Sequence, residues 1–198
     1  MIRVGTVDGL WSLPKRSVQF PGERVDAIAD EWVLTDGVRL HRGRKTLEPS
    51  VPEHINWALP VTDAILLGTA EAGLYRMNPA TGRVTRDAGF DAAPGRDKWY
   101  TPWDGPPDVR SLDRGPDGTV YVNVHVGGIV RSTPADPGWQ DTMDIDADVH
   151  QVLAHPTVRG LAFAATAQGL AVTRDGANTW EFHTDGLHGD YCRAVAIS

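Results

Sequence analysis

The feature that most constrains the fold is an internal repeat of about forty residues. The segment GGIVRSTPADPGW (127–139) aligns without gaps onto QGLAVTRDGANTW (168–180), 41 residues further along the chain. The same offset relates VYVNVH (120–125) to LAFAAT (161–166). Repeats of this length are typical of architectures in which similar units pack side by side to bury a shared core.

Weaker copies of the unit precede this pair. LLGTAEAGLYR (66–76), WVLTDGVRLHR (32–42) and VGTVDGLWSL (4–13) each show a short apolar strand, a small-residue turn and a second strand that opens at glycine. No stretch keeps helical apolar spacing over a dozen residues, so helices should be few and short. Four-stranded units of ~40–45 residues bury both faces when they pack radially. The sequence therefore predicts an all-β fold, a β-propeller of four-stranded antiparallel blades with about five blades visible.

The 198 residues are predicted to form a single propeller domain. Two alternatives remain open for its ends, because Met1 begins at the second strand of a unit and the chain finishes at a first strand. Either the terminal strand completes the N-terminal blade, or the chain is a fragment of a larger ring. The blade units are predicted at 1–20, 21–50, 51–90, 108–147 and 148–189, with 90–107 an inserted loop and 190–198 the first strand of a further or closing blade.

Composition excludes some classes of partner. A net charge of −7 and a pI near 5.4 argue against nucleic acid and against anionic membranes, because both need a basic face. The lone Cys192 has no intramolecular disulfide partner, and the N-terminus shows no secretion signal. We therefore expect a cytoplasmic protein without a membrane partner. Nothing in the sequence indicates the oligomeric state.

The stretch TRDGANTW (173–180) resembles the Asp-box, or bacterial neuraminidase repeat, whose pattern is Ser/Thr-x-Asp-x-Gly-x-Thr-Trp. Thr173, Asp175, Thr179 and Trp180 match this pattern, and Ala177 stands where glycine is usual. The resemblance implies a β-propeller in which the aspartate ties its own turn, on the outer part of a blade and away from the central pocket. The chain is also similar to uncharacterised bacterial proteins described as sialidase-like.

The first strands of the blades carry the strongest prediction of a site. When these strands are aligned by an apolar anchor residue, the next residue is polar in all five units. First strands line the channel of a propeller, so these side chains should converge at the channel and suit an anionic or polyhydroxylated ligand. The alternative is that they only face a water-filled channel. The five residues are Asp26, Asn56, Arg110, His150 and Arg193.

The inserted loop adds aromatic residues to this prediction. Trp99, Tyr100 and Trp103 lie among prolines and charged residues that include Asp104. Aromatic side chains on a stiff loop can stack on a sugar ring or hold a peptide. The alternative is a proline-rich connection whose tryptophans cap the core.

The leading functional hypothesis is binding of a polar ligand, a glycan or a peptide, at the channel mouth without turnover. An alternative is an exo-acting sialidase-like glycoside hydrolase, for which the resemblance implies arginines on a substrate carboxylate and a tyrosine nucleophile paired with a glutamate. Arg110 and Arg193 could supply arginines and Tyr100 or Tyr191 the nucleophile, but no Tyr/Glu pair is identifiable from the sequence. The third hypothesis is a structural interaction scaffold.

No cofactor or metal is expected from the sequence. Asp144, Asp146 and Asp148 have a spacing that could present oxygens to calcium, but the turn glycine and later glutamate of an EF-hand loop are missing. A solvated acidic loop is the favoured interpretation. His125 and His155 have no HxxxH-type spacing and no neighbouring cysteine, so the sequence gives little support to a zinc site.

Overall fold

The fold is all-β, as predicted. The computed structural model describes residues 2–103 and 105–197, in which the strands form five antiparallel sheets that follow one another along the chain. The first sheet has three strands and each of the other four has four. Helical structure in the described residues is limited to one α-helical turn, α1 (Ala88–Asp91), and three short 3₁₀ segments. None of these helices is long and apolar enough to cross a bilayer.

Each sheet is a meander in which every strand pairs with the next one along the chain. The first three sheets contain β1 (Ile2–Thr6), β2 (Gly9–Leu13) and β3 (Ser17–Gln19); β4 (Val25–Ala29), β5 (Trp32–Thr35), β6 (Arg39–Arg42) and β7 (Lys45–Leu47); and β8 (Ile55–Pro60), β9 (Ile65–Thr69), β10 (Leu74–Met77) and β11 (Val84–Arg86).

The fourth and fifth sheets repeat this arrangement after the segment that contains α1. They consist of β12 (Val109–Arg114), β13 (Val120–Val124), β14 (Gly128–Ser132) and β15 (Gln140–Met143), and of β16 (Val149–Ala154), β17 (Ala162–Thr166), β18 (Gly169–Thr173) and β19 (Glu181–His183).

The sheets are arranged as the blades of a propeller. The first strands β4, β8, β12 and β16 contact one another in that order, and they form the inner edge of the assembly. Second strands touch the first strand of the following blade, as β9 touches β12 and β13 touches β16. β1 touches β4 in the same way, so within residues 2–103 and 105–197 the three-stranded sheet contains the second, third and fourth strands of a blade.

Apolar residues on both faces of each sheet form the core between blades. On β9, Ile65 and Leu67 join a buried cluster with the second sheet, whereas Leu66 joins a cluster with the fourth sheet. Alternate residues of a strand point to opposite faces, so a continuous apolar run is what a blade packed on both sides requires. The inserted segment contributes Phe90, which is fully buried and packs against Trp139 with the ring centroids 5.3 Å apart.

Side chains of the inner strands also bond to the backbone of the next inner strand. On β12, the buried Ser111 Oγ accepts the backbone N–H of Val152 at 2.9 Å, and the Asp113 carboxylate accepts that of Ala154 at 2.8 Å. These bonds satisfy inner-strand donors that the sheet ladder leaves open. Asn56 Nδ2 donates in the same way to the Val109 carbonyl at 3.2 Å, and Gln151 Oε1 accepts the Val195 N–H at 2.9 Å.

Candidate functional site

A β-bulge at the start of each inner strand positions the polar residues that the sequence alignment placed in one column. The pairing of β16 with β17 passes from Val149 to Gln151 and leaves His150 outside the ladder. Asp26, Asn56 and Arg110 are left out of their ladders at the same position of β4, β8 and β12. A bulged residue has no cross-strand partner, and bulges commonly turn a side chain toward a site.

The fifth residue of the column, Arg193, lies in the chain after β19. The Cys192 N–H donates to the Thr166 carbonyl at 2.8 Å, which holds this segment against the fifth blade. The ring of His150 accordingly lies beside the segment, with Nδ1 at 2.7 Å from the Cys192 carbonyl oxygen.

Three of the five residues, Arg110, His150 and Arg193, lie near one another around the starts of β12 and β16, a region called the mouth from here on, and the other two do not. In addition to burial, the positive charge of Arg193 lowers the pKa of Arg110, and both guanidiniums lower the pKa of His125. Asp26 instead bonds to Arg24 at 2.7 Å and accepts the Gly37 N–H, also at 2.7 Å. Asn56 bonds to the neighbouring inner strand, as described above. Asp26 and Asn56 therefore hold local backbone and blade contacts together.

The mouth contains two residues that the sequence analysis did not assign to it. His125, in the turn after β13, has Nε2 at 3.2 Å from Asp148 Oδ1, and Asp148 Oδ2 lies 3.5 Å from His150 Nε2. Donor atoms of all three residues lie within 4.8 Å of one another. Asp148 precedes the strand with a left-handed φ of 47°, which aspartate tolerates better than most residues.

A sequence signal for Asp148 was available. Because side chains alternate along a strand, the residue before the anchor shares a face with the residue after it. The residue before the anchor is polar or aromatic in all five units, so the column could have been extended to a pair of positions on each inner strand. These preceding residues are Arg24, His54, Asp108, Asp148 and Tyr191.

The electrostatics of the mouth are dominated by burial and by the two arginines. Burial, reinforced by the positive charge of Arg110, lowers the pKa of His125 to about 4, so its imidazole is neutral at physiological pH. Burial also lowers the pKa of Arg110, with Asp108 and Asp148 acting in the opposite direction and Arg193 adding to the decrease. Among residues 2–103 and 105–197, no carboxylate lies within ion-pair distance of the Arg110 guanidinium.

Exposed aromatic rings cover the two histidines. Trp103, which is 62% exposed, stacks on His125 with ring centroids 5.2 Å apart. Tyr191 is also exposed and lies 4.6 Å from the ring of His150, with the Arg193 guanidinium 5.9 Å from the Tyr191 centroid. The mouth therefore combines charged and imidazole groups with flat apolar surfaces.

The other aromatic residues of the inserted segment have different positions. Tyr100 is exposed, whereas Trp99 is only 8% exposed and packs in the core at 5.5 Å from Phe90. The burial of Trp99 does not fit the predicted ligand contact. It fits the alternative interpretation, in which the tryptophan caps the core. Asp104 lies outside the described residues.

The aspartate of the TRDGANTW turn ties the chain locally. One oxygen of Asp175 accepts the backbone N–H groups of Asn178 at 2.9 Å and Thr179 at 3.0 Å, and the other accepts the Thr179 hydroxyl at 2.7 Å. Thr173 completes the turn, because its Oγ1 accepts the Ala177 N–H at 2.8 Å. The backbone N–H and the hydroxyl of Thr179 lower the pKa of Asp175 to about 2. Trp180 is half-buried and packs against the core of the fifth blade.

The three aspartates with calcium-like spacing do not share a site. Asp144 accepts the N–H of Asp146 at 2.8 Å and caps a 3₁₀ turn, Asp146 is exposed, and Asp148 faces the histidines. Within the described part of the chain, the one group of three potential metal ligands is His125, Asp148 and His150. In this segment Asp144 therefore stabilises the turn before β16, and the three aspartates do not form a calcium site.

A tyrosine–glutamate pair is present, but it lies away from the channel mouth. The Tyr75 hydroxyl donates to Glu53 at 2.7 Å, and Arg86 contacts both residues at 3.0 Å. Tyr75 is buried on the third strand of its blade, and burial together with the bond to Glu53 raises its pKa. A raised pKa opposes nucleophilic use of the phenol, so this pair is suited to holding the blade together.

A cavity of about 550 Å³ opens at the opposite end of the inner strands. The half-buried carboxylate of Asp113, which lines this cavity, is already engaged by the N–H groups of Ala154 and Arg114, both at 2.8 Å. The Asp113 carboxylate of this cavity therefore holds the fourth and fifth blades together.

No family model matches the chain, and no curated protein matches it. Among solved structures, the extracellular domain of BT4673 from B. thetaiotaomicron is similar over 96% of this chain and 28% of its own, with 16% identity and a TM-score of 0.65. YCF48 bound to D1 peptide matches over 94% of this chain and 64% of its own, with 13% identity and a TM-score of 0.56. A streptogramin B lyase matches over 89% and 59%, with 15% identity and a TM-score of 0.56.

These similarities show the fold alone. They support a propeller architecture, which proteins of several different roles share. The chain spans less than two thirds of the length of each of these structures.

Proposed function

We propose that this propeller binds a negatively charged polar ligand at the channel mouth of its fourth and fifth blades. The observation that carries the proposal is Arg110, a half-buried guanidinium that has no ion-pair partner among the described residues. A buried charge is costly unless it is paired, and the planar guanidinium binds a carboxylate through two parallel hydrogen bonds. An incoming carboxylate would complete the coordination of this side chain.

The neighbouring groups support a ligand with both charge and a flat surface. Arg193 adds a second cation, and Tyr191 and Trp103 offer exposed rings on which a sugar or peptide group can stack. A carboxylate-bearing glycan or an acidic peptide has this combination of features. The protein of known structure that was solved with a D1 peptide shows that a similar fold accommodates a peptide, and this favours keeping both ligand classes in the test.

We also propose that the chain belongs to the Asp-box propellers. The hydrogen bonds of Asp175 and Thr173 support this assignment, since they tie one turn at the outer end of the fifth blade. Sialidase-like hydrolysis is not favoured by any specific contact at the mouth, because Tyr191 lies against His150 and the Tyr75–Glu53 pair is elsewhere.

The experiment is a comparison of binding between two substitutions at opposite ends of one strand. Arg110→Ala removes the proposed anion contact, and Arg114→Ala, at the exposed far end of β12, is the matched control. Calorimetric titrations should use a sialylated glycan, a uronic-acid glycan and an acidic peptide, each beside its neutral counterpart.

We expect at least one acidic probe to bind the wild type and Arg114→Ala equally, with affinity that falls as salt rises. Arg110→Ala should weaken that binding by roughly 10-fold to 100-fold, the effect of losing one charge-assisted pair. The proposal is wrong if no acidic probe binds better than its neutral counterpart, or if Arg110→Ala and Arg114→Ala behave alike.

A further inference from the structure

We propose that His125, Asp148 and His150 form a binding site for one divalent transition-metal ion, and that Zn²⁺ suits the site best. This inference goes beyond the proposed ligand binding and stands on different residues. Two imidazoles and one carboxylate form the kind of three-ligand set that holds zinc while leaving a coordination position open.

The spacing of the donor atoms fits such an ion. Two ligands bound tetrahedrally at ~2.0–2.1 Å from zinc lie about 3.3 Å from each other. His125 Nε2 lies 3.2 Å from Asp148 Oδ1 and His150 Nε2 lies 3.5 Å from Asp148 Oδ2, and one donor atom from each of the three residues lies within 4.8 Å of the others. The two distances to Asp148 bracket the expected separation.

The hydrogen bond on the far side of the His150 ring fixes which nitrogen faces the site. A carbonyl oxygen only accepts hydrogen bonds, so the 2.7 Å contact with Cys192 requires Nδ1 to carry a proton. The neutral ring then has its lone pair on Nε2. Metal-binding histidines are commonly oriented in this way, by a carbonyl that binds the nitrogen remote from the metal.

Two buried atoms at the centre of the site lack a hydrogen-bond partner among the described residues. These are His150 Nε2 and Asp148 Oδ1, and the His150 side chain is only 2% exposed. Both atoms are acceptors when the ring is neutral, so neither can satisfy the other, and His125 Nε2, although 3.2 Å from Asp148 Oδ1, forms no hydrogen bond with it. A cation between them provides the missing partner to both.

The surrounding charges indicate what occupies the open position. The positive charges of Arg110 and Arg193 repel a metal ion at this site. An anion bound as the fourth ligand attracts both the ion and the guanidiniums, and so offsets that repulsion. The metal site does not require this ligand, and either site can be tested without the other.

The test is titration of chelator-treated protein with Zn²⁺, followed by calorimetry, and with Co²⁺, followed by visible absorption. The wild type should bind one equivalent of Zn²⁺. With Co²⁺ it should show the visible absorption bands of a bound ion that has a low coordination number. Asp148→Asn keeps the side-chain shape and tolerates the left-handed backbone, and His150→Gln keeps much of the volume. The matched control is His188→Ala, which removes an exposed histidine outside the cluster.

Each ligand substitution should weaken Zn²⁺ binding by more than ~100-fold, since changes to outer-shell partners alone cost ~10–100-fold. The His188→Ala protein should match the wild type. The inference is overturned if the wild type binds no Zn²⁺, as expected if a proton joins His150 to Asp148. It is also overturned if binding survives in both Asp148→Asn and His150→Gln. Acidic-ligand binding to metal-free protein would leave the proposed function standing in either case.

Discussion

Replacement of Ser111 by alanine should weaken the contact between the fourth and fifth blades. Ser111 is 1% exposed, and its Oγ accepts the N–H of the equally buried Val152 at 2.9 Å. The substitution leaves that donor without a partner, which costs ~1–3 kcal/mol, and the longer 3.3 Å bond from Asn123 adds up to ~1 kcal/mol. We expect a loss of ~1–4 kcal/mol in the free energy of unfolding, which most domains survive.

The measurement is urea denaturation at pH 7 followed by circular dichroism, with linear extrapolation to water. Ser17→Ala provides the control, because Ser17 is an exposed serine on a strand and its substitution should change stability by less than ~0.5 kcal/mol. If Ser111→Ala is no less stable than Ser17→Ala, the inner-strand side chains do not hold neighbouring blades together, and this account of the interface is refuted.

Two carboxylates should give pH effects of opposite sign on stability. Hydrogen bonds lower the pKa of Asp175 from 3.8 to about 2, so its contribution is complete above pH 3.8 and is lost as the pH falls toward 2. Asp175→Asn should therefore reduce the fall in the free energy of unfolding between pH 3.8 and pH 2, measured by urea denaturation. An unchanged fall would contradict the stabilising role of the Asp175 hydrogen bonds. Burial raises the pKa of Asp113, so stability should decline as the pH rises from 3.8 through that raised pKa. Asp113→Asn should remove this decline, and a decline of equal size in the variant would show that another group causes it.

The strand order was predictable because the repeat is carried by local features. Alternating and continuous apolar runs determine which strand faces are buried, and a run such as that around Leu66 requires cover on both sides. The column at Arg110 and His150 was also visible, because a polar residue follows an apolar anchor in each unit, and the structure places a bulge at this position in four blades. These features depend only on neighbouring residues and on the period of the unit.

The sequence does not show which residues from different parts of the chain meet at the mouth. His125 comes from the turn of one blade and meets Asp148 from the next, so no spacing within one segment connects them. The direction of Trp99 depends on the position of Phe90 in the core, whereas Trp103, four residues further along, is exposed. The first case is decided by a contact between blades and the second by packing of the inserted segment, and a single unit of the repeat encodes neither.

The most direct test of this account is an anomalous-difference map from crystals of the protein grown with Zn²⁺ and measured at the zinc absorption edge. The structure predicts one strong peak at the channel mouth, within coordinating distance of His125 Nε2, His150 Nε2 and a carboxylate oxygen of Asp148. Absence of a peak at these three residues, with His150 Nε2 hydrogen-bonded to Asp148, would contradict it.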